Sequence, residues 1–171
     1  MRARLLALSL PVLLAACGVP FTVAVKDFSI PVSSSSEGSI CYSPSNQAAQ
    51  PHVGSVSLSG LAGYANDGGN RATVSFTFYV RQTAPTGAPA VNGLTCVPAD
   101  SAGVSIGTLT ITGGQSNVVY KLSGAALDAA AQAGNYWIGA SLQRTGLPFN
   151  TGLVNYGAVD FTKNHVTFSL Q

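Results

Sequence analysis

Hydrophobic and polar residues alternate with a period of two along much of the chain. The clearest run is 73–80, where Val74, Phe76, Phe78 and Val80 fall on one side and Thr73, Ser75, Thr77 and Tyr79 on the other. A period of two sends successive side chains to opposite faces of a pleated strand. This run therefore reads as an antiparallel strand with one face in a core and one in water. The stretch 53–61 has the same rhythm, with Val56 and Leu58 set among Ser55, Ser57 and Ser59. Between the two, Asn66, Asp67, Gly68, Gly69 and Asn70 tolerate positive φ, which predicts a hairpin joining them. Further strands are expected at 21–25, 28–30, 104–111, 118–120, 136–142, 153–161 and 166–170. Two stretches rich in Ser and Pro or in Gly and Pro, 33–51 and 82–93, read as long loops. Many short strands joined by Gly-rich turns predict an all-β fold, an antiparallel β-sandwich.

One short helix interrupts this pattern. Ser123 is placed to cap an alanine-rich segment at 124–132, and Gly134 is placed to end it. Tyr136, Trp137 and Ile138 follow. A helical turn, a glycine and a strand opening on tyrosine is similar to the E–F corner of immunoglobulin-like sandwiches. That resemblance implies an immunoglobulin-like sandwich in which the Tyr136 hydroxyl bonds back to the corner backbone, with Ile138 or Trp137 in the core.

The N-terminus follows a different logic. Arg2 and Arg4 precede an apolar stretch at 5–16, well short of the roughly 20 residues that a membrane-spanning helix needs. This is the build of a cleaved secretory signal. It ends Leu14, Ala15, Ala16, Cys17, and this segment resembles the lipobox of bacterial lipoproteins. The resemblance implies cleavage before Cys17 and acylation of that cysteine. Gly18, where an acidic residue often marks inner-membrane retention, favours the outer membrane in a cell that has one. The expected organisation is a leader at 1–16, a short lipidated tether at 17–20 and a single domain at 21–171. Its expected location is extracytoplasmic, with the acyl chains on Cys17 as the link to a membrane.

Composition gains meaning once the leader is set aside. The whole chain carries eight basic and six acidic residues, a formal charge of +2, and only 8% of its residues are charged. Removing Arg2 and Arg4 leaves the two signs balanced. A nucleic-acid partner, which needs a concentrated basic face, is excluded as an expectation. The sole methionine is Met1, so thioether metal ligands are not expected in the mature chain. Once Cys17 is acylated, Cys41 and Cys96 remain, and a pair in an exported chain reads as a disulfide.

Candidate chemistry is sparse. Gly103, Val104, Ser105, Ile106 and Gly107 fit the G-x-S-x-G expression of serine hydrolases, and Asp128 or Asp160 followed by His165 gives the matching chain order. The residues after Gly107 alternate as a strand, however, whereas the hydrolase elbow needs a helix there. Ser105 is therefore expected on a turn or bulge. His52 and His165 lack a local ligand motif and are expected at strand starts. The acids Asp27, Glu37, Asp67, Asp100, Asp128 and Asp160 stand singly, so no carboxylate dyad is legible. Asp67 is expected in a turn and not at a calcium ion. Tyr42, Tyr64, Tyr79, Tyr120, Tyr136, Tyr156 and Trp137 offer either a sugar-stacking platform or ordinary strand packing.

The expected function is a lipid-anchored cell-envelope sandwich with a non-enzymatic binding or structural role, without a metal or other cofactor. The second expectation is a carbohydrate-binding module, and the third an esterase using Ser105. An envelope protein or glycan is the expected partner. The Ser/Thr face of 73–80 and weak self-repulsion also suggest lateral self-association.

Overall fold

The computed structural model of the protein describes residues 20–33, 38–43, 52–65, 72–86, 94–145 and 155–170. The expected leader at 1–16, Cys17, Glu37 and Asp67 lie outside these residues. Among the described residues, ten strands and one α-helix follow one another: β1 (Phe21–Ala24), β2 (Phe28–Ser33), β3 (Ser39–Tyr42), β4 (Val53–Ala65), β5 (Thr73–Arg81), β6 (Thr95–Pro98), β7 (Val104–Thr112), β8 (Val118–Ser123), α1 (Ala125–Ala133), β9 (Trp137–Thr145) and β10 (Asn155–Leu170). They form two antiparallel sheets packed face to face, the predicted all-β sandwich. In the first sheet, β10 and β4 pair centrally and β8 forms one edge. Along the other side of β10, β1 pairs with its C-terminal half and β2 with its N-terminal half. The second sheet has the order β6-β3-β9-β5-β7.

The alternation in β5 survives intact. Val74, Phe76, Phe78 and Val80 are buried, while their polar neighbours are half-buried on the outer face. Thr73 and Ser75 pair their hydroxyls with Thr112 and Thr110 of β7, each at 3.0 Å. The hairpin expected between 53–61 and 73–80 is not formed, because β4 and β5 lie in opposite sheets. Each has two neighbours of its own, and neither pairs with the other. The predicted loop at 33–51 contains β3, four residues whose alternation is too short to stand out among serines and prolines. β6 was likewise hidden, since Thr, Cys, Val and Pro show no repeat.

The helix begins one residue later than expected. Ser123 stays in β8 opposite Ser57, and Gly124 takes the cap position without a side-chain bond. Gly134 ends the helix at φ 71°, in the left-handed region that favours glycine. Asp128 accepts the Val56 N–H at 2.7 Å, and Gln132 donates to the Val53 carbonyl at 2.8 Å, fastening the helix to β4. Tyr136 is buried, but its hydroxyl makes no backbone bond among the described residues. The disulfide joins neighbouring strands of one sheet, unlike the inter-sheet bridge of antibody domains.

The two segments expected at 153–161 and 166–170 are one strand. β10 runs through a bulge, in which Thr162 pairs with Leu61 and His165 with Ser59, so that Lys163 and Asn164 together oppose Gly60. Lys163 takes φ 50°, and Asn164 turns inward. A Cβ on Gly60 would lie 2.6 Å from Asn164 Oδ1, so only glycine fits opposite the bulge.

Candidate binding site

The sandwich is closed along one side and open along the other. At the closed side β7 and β8 approach so tightly that a Cβ on Gly107 would stand 2.8 Å from Leu122. At the opposite side, β1 and β2 face β3 and β6 across a gap. A cavity of about 390 Å³ enters there and reaches into the interior. Its deep walls are Leu58, Phe78, Leu122, Ile138 and Ala140, and its mouth is formed by Val25, Phe28, Cys41, Ser43 and Leu94.

Strand register explains this shape. Val23, Val166, Leu58 and Leu122 form one apolar row across the first sheet. Cys41, Ala140, Phe78 and Gly107 form the row facing it. One member of the second row, Ala140, is too small to span the space between sheets. Consequently Leu58, Ile138 and Ala140, on the inner faces of interior strands, are only half-buried. A well-packed sandwich would enclose such residues fully. The volume falls within the roughly 300–1,000 Å³ of small-molecule pockets, which are typically apolar with a few polar groups.

A buried polar hub sets the mouth. Asn164 is 1% exposed. Its Oδ1 accepts the Tyr120 hydroxyl at 2.6 Å, and its Nδ2 donates to the Phe161 carbonyl at 2.9 Å. Longer bonds of 3.4 Å run from Nδ2 to the Lys26 carbonyl and to Asp27 Oδ1, and the Val25 N–H donates to the Asn164 carbonyl at 2.8 Å. The bulge therefore holds the β1–β2 turn, and with it Val25, in place at the cavity entrance. Sequence reading missed Asn164. Its only signal in the sequence is that three polar residues, Lys163, Asn164 and His165, interrupt the apolar alternation.

Burial pushes the Tyr120 hydroxyl up to about 12, and the nearby Asp27 carboxylate adds to the shift. The unfolded chain ionises this tyrosine near pH 10, whereas the folded protein keeps the proton. The unfolded state then holds fewer protons, so stability falls as pH rises from 10 to 12. The expected loss is about 3 kcal/mol, present in full below pH 10 and exhausted above pH 12. Tyr136 is shifted upward too, also by burial. Urea midpoints of wild type and Tyr120→Phe across pH 9–12 check the assignment. The two stability curves should converge as pH rises, and parallel curves would contradict it.

The hydrolase-like constellation is not assembled. Ser105 lies exposed on β7 opposite Tyr79, where the ladder skips Ile106 as a bulge. His165 is exposed on β10 of the other sheet, paired with Ser59 and Ala24. Asp128 is engaged by Val56, and Asp160 accepts a bond from Ser29. The glycines of the motif serve packing. A Cβ on Gly103 would meet the Val80 carbonyl oxygen at 2.1 Å, and Gly103 donates its N–H to the Tyr42 hydroxyl at 2.9 Å.

No protein-family model matches this chain, and neither does any curated protein. The site must therefore be read from its own residues.

The aromatic residues are mostly internal. Tyr42, Tyr64, Tyr120 and Tyr136 are buried, and no structure is described for the Tyr156 side chain. On the outer face of the second sheet, Ile40, Tyr42 and Val97 form a small separate cluster against which Tyr79 and Trp137 pack. Tyr42 lies flat over Gly139, whose Cβ would come within 2.5 Å of the ring. The Arg81 guanidinium sits 5.5 Å above the same ring. Trp137 is half-buried in this layer, and the exposed aromatics among the described residues are Phe21 and Phe28 of β1 and β2. A second recess, of about 440 Å³ between α1 and the β5–β7 edge, carries Arg81 on its wall. That guanidinium is bonded to Thr83 Oγ1 and the Ser101 carbonyl. His52 is exposed in the turn before β4, as expected, whereas His165 falls within β10 and does not begin a strand. Asp100 lies in a short 3-10 turn at Ala99–Ser101. Among the described residues no three His, Cys, Asp or Glu side chains converge to hold a metal ion, and no helix is long and apolar enough to cross a membrane.

Proposed function

We propose that this is a lipid-anchored, extracytoplasmic binding protein that takes an apolar ligand into the cavity between its two sheets. The observation that carries this reading is the half-burial of Leu58, Ile138 and Ala140 around an apolar cavity of about 390 Å³. Apolar cavities that stay dry gain from any ligand that restores the missing contacts. Anchoring rests on the Leu14-Ala15-Ala16-Cys17 segment, and acyl chains at Cys17 would hold the domain at a membrane. Binding needs no catalytic group, in keeping with the separation of Ser105 from His165.

The test is binding of the fluorophore N-phenyl-1-naphthylamine to the purified, full-length protein in detergent-free nanodiscs. Saturable binding to wild type is expected, weakened at least tenfold by Ala140→Phe, which fills the cavity while adding apolar contacts. Binding that is absent, or unaffected by Ala140→Phe, would overturn the reading. Incorporation of radioactive palmitate, abolished by Cys17→Ser, checks the anchor separately.

A further inference from the structure

We propose that the exposed apolar ledge formed by Phe21, Val23, Val25 and Phe28 rests on the bilayer and delivers one acyl chain of a membrane lipid into the cavity. This deepens the apolar-ligand reading above and rests on it.

The ledge comprises four of the six large apolar side chains most exposed among the described residues, at 42%, 49%, 41% and 39%. The other two, Val104 and Val119, stand singly on edge strands β7 and β8. The four are contiguous. Phe21 lies opposite Phe168, with rings 4.9 Å apart, Val23 opposite Val166, and Phe28 opposite Phe161. Phe168, Val166 and Phe161 all belong to or pack against the main core, so the ledge is the inner face of the first sheet, extended beyond the cover of the second. Val25 and Phe28 also line the cavity mouth. The ledge and the cavity thus share Val25 and Phe28, and the cavity lining extends to Leu122 of β8. Contiguous exposed patches of this kind mark interaction sites.

Two observations select a bilayer as the occupant. Cys17 precedes Phe21 by four residues, a reach of at most about 14 Å even when fully extended. An acylated Cys17 would therefore keep β1 within one tether length of the lipid surface. The contact is also apolar, not ionic: Lys26 and Asp27 at the tip of the β1–β2 turn cancel in formal charge, and the mature chain is balanced overall. A surface held by basic residues would be released by salt, whereas this one should not be. A single acyl chain suits the cavity because most of the side chains that line it are apolar.

The experiment uses the full-length, lipidated protein in phosphatidylethanolamine–phosphatidylglycerol vesicles containing a phospholipid with a diazirine near the end of one acyl chain. After irradiation, cross-links mapped by mass spectrometry are expected on Leu58, Leu122, Ile138 or Ala140, unchanged between low and high salt. Ala140→Phe should abolish them. Phe21→Ser with Val23→Ser should reduce them about tenfold or more while leaving naphthylamine binding intact, which also shows that this variant folds. Val25→Ser, tested alone, guards against a folding failure in the double variant and should give a smaller reduction of the same kind.

Cross-links confined to the ledge would overturn delivery into the cavity. Insensitivity to the ledge substitutions would overturn the route. A metabolically incorporated diazirine fatty acid on Cys17 supplies the second arm, and cavity cross-links from that chain alone would make the protein's own anchor the occupant and overturn the lipid proposal. In the first two cases naphthylamine binding persists in wild type, and in the third it persists in Cys17→Ser, whereas its absence from both proteins would mean that the underlying apolar-ligand reading has failed.

Discussion

Phe161→Ala is expected to lower the stability of the folded protein by about 4 kcal/mol, read from urea denaturation at neutral pH. Phe161 is completely buried on β10, where it connects strands of both sheets. Its ring meets Phe76 and Phe78 of β5 edge-on, at 5.8 and 6.0 Å, and Tyr120 of β8 at 5.3 Å. Phe28 of β2 stacks on it at 4.7 Å. Truncation removes the transfer energy of a whole ring and several edge-to-face contacts worth about 0.5–1.5 kcal/mol each. It also leaves a void that the rigid sheets cannot close, next to a cavity that already exists. Against a total stability of about 5–15 kcal/mol, such a loss leaves the domain marginal. Phe161→Leu, which keeps most of the volume, should cost appreciably less. A loss below about 1 kcal/mol for the alanine variant would show that the sheets are held together elsewhere.

What could be read from the sequence depended on whether a residue's role was local. β5 was legible because eight residues alternate without interruption and its two faces differ in polarity. The disulfide was legible because acylation of Cys17 would leave only Cys41 and Cys96 to pair. Asn164 was not legible, because its partners come from the β1–β2 turn, β8 and the preceding part of β10, brought together only by folding. The expected strands 153–161 and 166–170 left residues 162–165 between them, where the structure has a bulge within one strand. β4 and β5 looked like a hairpin because a Gly-Asn-Asp segment permits a tight turn, yet a permitted turn does not choose which strands pair. The cavity was hidden for a similar reason. Leu58, Ile138 and Ala140 have the pattern of core residues, and only the register shows that Ala140, facing the row of Leu58, is too small to fill the space before it. Gly103 and Gly107 matched a catalytic expression, but their reason for being glycine is close backbone approach to Val80 and Leu122.

Reducing the disulfide, or replacing both Cys41 and Cys96 by alanine, is expected to lower stability by about 4 kcal/mol in the chain-entropy account of cross-links. The two cysteines are 55 residues apart in sequence and directly opposite one another on β3 and β6. In the unfolded chain the bond closes a long loop, and this is where most of its effect arises. In the folded protein its position matters as well. Among the described residues, β6 is an edge strand of four residues that pairs with β3, and β3 in turn reaches the sheet through three register pairs with β9. Neither strand has much ladder of its own, so the covalent bond is the strongest link between them. Cys41 also lies at the cavity mouth, beside Leu94 and Ser43. Loss of the bond should therefore loosen the entrance in addition to weakening the fold, with faster amide exchange in Thr95–Pro98 and faster dissociation of naphthylamine. Urea denaturation with and without a phosphine reductant measures the first effect, and exchange and stopped-flow fluorescence measure the second. If stability falls but dissociation does not quicken, the bond acts only on the unfolded chain. If stability falls by less than about 1 kcal/mol, the β3–β6 edge holds by its backbone ladder alone, and the cysteines at the entrance need another explanation.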